Sequence, residues 1–196
     1  KVFNPGKGRG SGCYVTYKGA HLIVTAAHVF DDANTNWLWI VRGKKKVKGH
    51  PVYFDKGEDI ALVATKPLDM VKPTRLNVRT PYPPVGEELT YSGYPGRHDL
   101  LTIRGEVVGY QKIWDEREKV VVHTYGWPGA SGSCFFDKRG RMVGVLVAIP
   151  IGRGYVPQLL ESMVFATPIK VLDLDKLNEN LCSLQPDIRP HFCMRR

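Results

Sequence analysis

Three short stretches of this chain carry side chains capable of nucleophilic chemistry: an imidazole, a carboxylate and a hydroxyl. Thr25-Ala26-Ala27-His28 sets a histidine directly after the apolar run 21–25. Glu58-Asp59-Ile60-Ala61-Leu62 sets an acid at the mouth of another apolar run. Gly129-Ala130-Ser131-Gly132-Ser133 sets a serine among small residues just before a third. Each has a plain alternative. A lone histidine beside a strand is usually structural, an acid before an apolar run is often a turn residue, and small residues fill tight turns everywhere. Other acids compete with Asp59: Asp31 and Asp32 read as starting or capping a short helix, Asp55 and Glu58 as facing solvent.

The elements that must position these groups are strands. Apolar, β-branched runs recur at 13–17, 21–25, 37–41, 60–65, 100–104, 119–124, 132–136 and 142–148, punctuated by Gly, Pro and Asp turns. Short strands at such spacing predict an all-β sandwich or barrels. The segment 73–84 holds Pro73, Pro81, Pro83 and Pro84 and reads as a linker, because proline lacks the amide donor of a central strand. One helix is expected, at the end: Thr167 as cap, Pro168 in the first turn, then Ile169, Leu172, Leu177 and Leu181 along one face. This gives units at 1–80, 81–166 and 167–196, the last being helix and tail.

At 196 residues, the chain is long enough to bury a core without metals or disulfides. No apolar run approaches the roughly 20 residues of a membrane helix. The net charge of +9 bears on solubility and nonspecific association before it bears on function. Its densest cluster, Arg42, Lys44, Lys45, Lys46 and Lys48, reads as a solvated hairpin without the interleaved aromatics of a single-strand nucleic-acid platform. Nucleic acid is therefore a disfavoured partner. The four cysteines form no CxxC pair, so no metal is expected, and nothing in the chain calls for a cofactor. Cys13 and Cys134 read as small buried hydrophobes, while Cys182 and Cys193 could pair in an oxidising compartment.

Taken together, the three patterns resemble the chymotrypsin-fold, trypsin-like serine peptidases, whose chain order is His, Asp, Ser. Gly10-Ser11-Gly12-Cys13-Tyr14-Val15 resembles that family's first barrel strand, and the segments 86–89 and 93–96 resemble the opening of its second barrel. Gly140-Arg141-Met142-Val143-Gly144-Val145 resembles the strand after the nucleophile loop. The resemblance implies two antiparallel six-stranded β-barrels with a C-terminal α-helix outside them. It implies a serine endopeptidase acting through an acyl-enzyme, with a polypeptide as substrate. Ser131 is then the nucleophile, His28 its base and Asp59 the group that orients the imidazole, while the backbone amides of Gly129 and Ser131 form the oxyanion hole.

Departures from the pattern refine it. Ala130 stands where digestive members carry the acid that pairs with a newly cut N-terminus, and no cysteine follows His28. Both point to the bacterial, phage or viral branch. The sequence opens on Lys1 without an initiator Met, which suits a viral polyprotein product acting in host cytoplasm, although no residue fixes a compartment. The alternative is a catalytically silent relative used as a binding or virion protein. By the same resemblance, the specificity pocket is lined by 123–127, 146–149 and 162–165, with Tyr125, Leu146, Val147, Ala148 and Met163 as contacts. Tyr125 stands where a trypsin-like pocket has its acid, so an uncharged, small to medium residue is expected before the scissile bond.

Overall fold

β-branched and aromatic side chains fill the apolar runs and pack best on a pleated, half-buried surface. The structure is a computed structural model that describes residues 1–4, 8–30, 36–69, 71–96, 98–113, 116–152, 158–159 and 162–194. Its first sheet takes in β1 (Val2–Asn4), β2 (Gly8–Gly10), β3 (Cys13–Tyr17), β4 (Ala20–Thr25), β5 (Leu38–Arg42), β6 (Lys45–Asp55), β7 (Ile60–Thr65) and β8 (Thr74–Arg75). The spatial order is β2-β1-β5-β6-β7-β4-β3-β8, antiparallel except for the two-residue pair β3–β8. The second half contributes β9 (Glu88–Gly93), β10 (Leu101–Ile113), β11 (Arg117–His123), β12 (Cys134–Asp137) and β13 (Met142–Ala148). A small hairpin of β14 (Ile151–Gly152) and β15 (Gln158–Leu159) follows, and then β16 (Met163–Pro168). Six of these close a barrel in the order β10-β11-β16-β13-β12-β9.

Two closed barrels are therefore not what forms. The C-terminal barrel closes, whereas the N-terminal sheet curls and stays open. Its edges are engaged elsewhere: the chain beyond β2 turns its amides to the other half, Ser11 N donating to Ser131 O at 2.8 Å, and β3 takes β8 as a parallel neighbour. The Pro-rich segment 73–84 is thus more than a linker, since it holds β8 and the buried Leu76.

The expected helix also starts later. Thr167 and Pro168 finish β16, with Thr167 opposite Val145 and Pro168 opposite Gly144 on β13. A 3-10 turn at Ile169–Val171 follows, and α1 (Leu174–Cys182) begins after Asp173, whose side chain accepts from the amides of Asp175 and Lys176. Ladder pairing with β13 overrides the local Thr-Pro start signal, and an acidic cap takes over, as the helix N-terminus favours. Leu177 and Leu181 remain the buried face.

Cys13 and Cys134 depart from expectation as well, whereas Cys182 and Cys193 take the pairing open to them. Cys13 and Cys134 are joined in a disulfide between the two halves, and Cys182 is joined to Cys193. The first pair lies 121 residues apart in sequence, which register alone could not reveal. The basic cluster does form a hairpin with exposed charges, but its lysines are not bare. Lys46 Nζ lies 3.9 Å from the Trp39 ring centre and Lys48 Nζ 5.1 Å from that of Trp37, each reaching diagonally across the β5–β6 ladder, in which Val41 faces Lys46 and Trp39 faces Lys48. Asp31 and Asp32 lie outside the described residues.

Candidate active site

Two loops and one short turn meet where the halves touch. Ile23 and Val24 bury β4 in the core, and the chain leaves it through Ala26 into a 3-10 turn, Ala27–Val29, in which Ala27 and Val29 are buried. That leaves the His28 side chain about half exposed, at 48%. Opposite it, the turn before β7 ends on Asp59, whose φ is 56°. This left-handed conformation is uncommon for a residue with a β-carbon, and aspartate is among the few that tolerate it. It aims the carboxylate back at His28: Oδ1 accepts from the His28 amide at 2.8 Å, and Oδ2 lies 2.7 Å from Nδ1. A carboxylate only accepts, so Nδ1 carries the hydrogen and Nε2 keeps its lone pair.

Ser131 sits on the turn before β12. Gly132 follows it with φ 85°, and a β-carbon there would lie 2.2 Å from Ser11 O and 3.0 Å from Ala26 N. Only glycine lets this loop press against the strand end that leads to His28. Among the described residues no hydrogen bond joins Ser131 Oγ to His28, a contact that is often long before substrate binds.

The amides around Ser131 are sorted sharply. Ala130 N donates to Trp127 O, Gly132 N to Leu146 O and Ser133 N to Ala130 O. Among the described residues the amides of Gly129 and Ser131 have no acceptor. Their directions are nevertheless fixed, because in a trans peptide N–H and C=O point oppositely. Pro128 O, the partner of the Gly129 amide, accepts from Gly96 N at 2.7 Å, and Ala130 O, the partner of the Ser131 amide, accepts from Ser133 N at 2.9 Å. Gly129 O accepts from Ser11 Oγ at 2.8 Å, and the same hydroxyl accepts from Tyr94 N at 2.9 Å. The pair can therefore serve as a preorganised site for negative charge. In the sequence Ser11 is only part of a strand opening, and its reach across to Gly129 has no signature in one dimension.

The remaining expected residues separate. Leu146 and Val147 are almost fully buried, and the Leu146 amide and carbonyl are bound to Ser133 O and Gly132 N, so neither side chain is presented to a substrate. Ala148 and Met163 are half-buried. Tyr125 is 41% exposed, stacks on Trp127, and its carbonyl accepts from Tyr91 Oη at 2.6 Å. Burial pushes the Tyr91 hydroxyl pKa up, keeping it a donor. The three segments expected to line a pocket do converge at Gly126, where a β-carbon would lie 2.4 Å from Val164 Cγ1 and 3.2 Å from Ile149 Cγ1. A surface cavity of about 570 Å³ is lined by His123, Tyr125 and Ser162 of these segments together with Glu88, Arg104 and Glu106, and it includes neither His28 nor Ser131. Glu58 does not face solvent as expected: it is held by Lys119 and Arg117.

Comparison with known proteins bears on the family and the fold. The family model for a trypsin-like peptidase domain matches residues 10–145. No curated protein matches the chain. Among solved structures, the active form of the Rv3671c protease from M. tuberculosis is similar at 19% identity and a TM-score of 0.65, covering 90% of this chain and 75% of that one. An inactive form of Rv3671c is similar at 18% identity and 0.64, covering 90% and 83%. The HtrA-type protease AlgW with a decapeptide is similar at 18% and 0.64, covering 83% of this chain and 48% of that one. At such identities these likenesses establish the fold alone.

Proposed function

The chain belongs to the trypsin-like peptidase domain family and is a serine endopeptidase, and from that premise we propose that His28, Asp59 and Ser131 are its catalytic set. The observation that carries the reading is the double hold of Asp59 on His28, at 2.8 and 2.7 Å, which leaves Nε2 as the free base. Ser131 Oγ attacks the scissile carbonyl carbon as Nε2 takes its proton. The carbonyl oxygen becomes an oxyanion received by the amides of Gly129 and Ser131. The tetrahedral adduct collapses, the C–N bond breaks, and His28 returns the proton to the leaving amine. Water then repeats the sequence on the ester, regenerating Ser131. Asp59 stabilises the imidazolium formed in each half.

For specificity, the three expected segments meet through Gly126, Ile149 and Val164, bringing together apolar groups and no acid. The polypeptide bond is thus cut after an uncharged residue of small to medium size. A viral polyprotein as the substrate draws no support from the similar structures, which are an M. tuberculosis protease and an HtrA-type protease. A fluorophosphonate probe tests the catalytic set. It should label the wild-type protein on Ser131, and neither Ser131→Ala nor His28→Ala should be labelled. An unlabelled, folded wild type would support the silent-relative reading instead. A peptide library tests specificity: dominance of Lys or Arg before the cut would place that side chain with Glu88 and Glu106 and overturn the apolar reading.

A further inference from the structure

We propose that Lys119 is a positioning residue for Asp59: from the closed barrel, and acting through Glu58, it fixes the conformation in which Asp59 holds His28. The inference rests on the catalytic set proposed above. Lys119 lies on β11 with no exposed surface, although lysine is almost never fully buried unless paired. Its Nζ donates to Glu58 Oε2 at 2.6 Å and to Glu58 O at 3.1 Å. Thr167 Oγ1 donates to the same carbonyl at 2.5 Å. Arg117 Nη1 lies 3.2 Å from Glu58 Oε1 and 3.6 Å from Asp55 Oδ1, and Asp55 Oδ1 in turn accepts from Glu58 N at 2.9 Å. Every polar atom of Glu58 is therefore held.

The consequence falls on the next residue. The clamped Glu58 carbonyl shares its peptide plane with the Asp59 amide, so two donors from the other half set the plane from which Asp59 enters its φ of 56°. That is a conformation the chain would leave if released. Asp59 lies on the turn between β6 and β7 of the N-terminal sheet, yet the groups that hold its approach, Lys119, Arg117 and Thr167, all belong to the closed barrel. Docking of the two halves and assembly of the His28–Asp59 pair are thereby one event. A lysine that served only to glue the halves would need the carboxylate alone. Its second bond, to the backbone carbonyl, is what carries the inference.

Two variants separate positioning from charge balance. Lys119→Met removes both bonds at similar volume. Lys119→Met/Glu58→Gln also removes the excess carboxylate charge, restoring electrostatic balance but leaving the Glu58 carbonyl to Thr167 alone. We expect kcat to fall between about tenfold and a hundredfold in both, the range for a small misplacement, with KM changed little. The acid limb of the pH–rate profile should move to lower pH, because a loosened carboxylate stabilises the imidazolium less. The double variant should regain the melting temperature lost by the single one without regaining kcat. The low-field proton resonance of His28 Nδ1–H, read in a Ser131→Ala background, should weaken or broaden when Lys119→Met/Glu58→Gln is added. That arm reads placement without turnover, so it stands even if the fluorophosphonate result removes the catalytic reading. Wild-type kcat in the double variant, or an unchanged low-field resonance, overturns the proposal.

Discussion

Gly129→Ala is the sharpest probe of the proposed oxyanion hole. Gly129 has φ 101°, and a β-carbon on it would lie 2.6 Å from Tyr94 O and 3.2 Å from Gly96 O, both backbone atoms that cannot swing aside. The neighbouring peptides cannot yield easily either, since Pro128 O is bound by Gly96 N and Gly129 O by Ser11 Oγ. Relief must come from turning the Pro128–Gly129 peptide, which takes the Gly129 amide away from the site. Holding alanine in this conformation costs about 1–3 kcal/mol. In a chain of this size that lowers the melting temperature by about 2–12 °C. Losing one oxyanion donor costs a further ~3–4 kcal/mol in the transition state alone, or roughly 10²–10³ in kcat. Because the donor acts only on the developing oxyanion, kcat and kcat/KM should fall together with KM nearly constant. Steady-state kinetics on a peptide ester, paired with a thermal melt, separates the two costs. A variant that melts lower but keeps kcat within about twofold of wild type would refute the assignment of the Gly129 amide.

Asp59→Asn should keep the fold and lose up to about 10⁴ in kcat, because an amide favours the wrong imidazole tautomer. Near-full activity would assign the acid elsewhere. Asp137, at the turn between β12 and β13, is held below the usual carboxylate range: burial pushes it up, but bonds from the Arg141 amide and side chain and the Arg139 amide outweigh that. A depressed carboxylate stabilises the fold above its unfolded value and loses that contribution as pH falls through the folded one. Asp137→Asn should therefore destabilise by about 2 kcal/mol near neutrality, a gap that closes below about pH 4 in melts across pH. Replacing Lys44, Lys45, Lys46 and Lys48 with glutamine should leave turnover of small peptides within about twofold, since exposed surface charges and their pairs contribute little. A larger loss would tie the hairpin to substrate binding.

Most strands were legible because apolar, β-branched runs and the Gly or Pro turns between them are local properties. Runs such as 60–65 and 142–148 became β7 and β13. The order His28, Asp59, Ser131 was likewise visible, since residue type and chain order survive in one dimension. The strand β6 was hidden behind its lysines, and β16 behind a Thr-Pro pair that mimics a helix start. Open or closed sheets depend on which edges meet, and Ser11 spends its edge amide on Ser131 instead of a neighbouring strand. The Cys13–Cys134 bond, the Ser11 clamp on Gly129 and the Lys119 hold on Glu58 join residues 121, 118 and 61 positions apart. No local signal encodes such pairings. They arise because burying a charge or an amide is costly unless a partner is brought to it, and only the packed chain brings one.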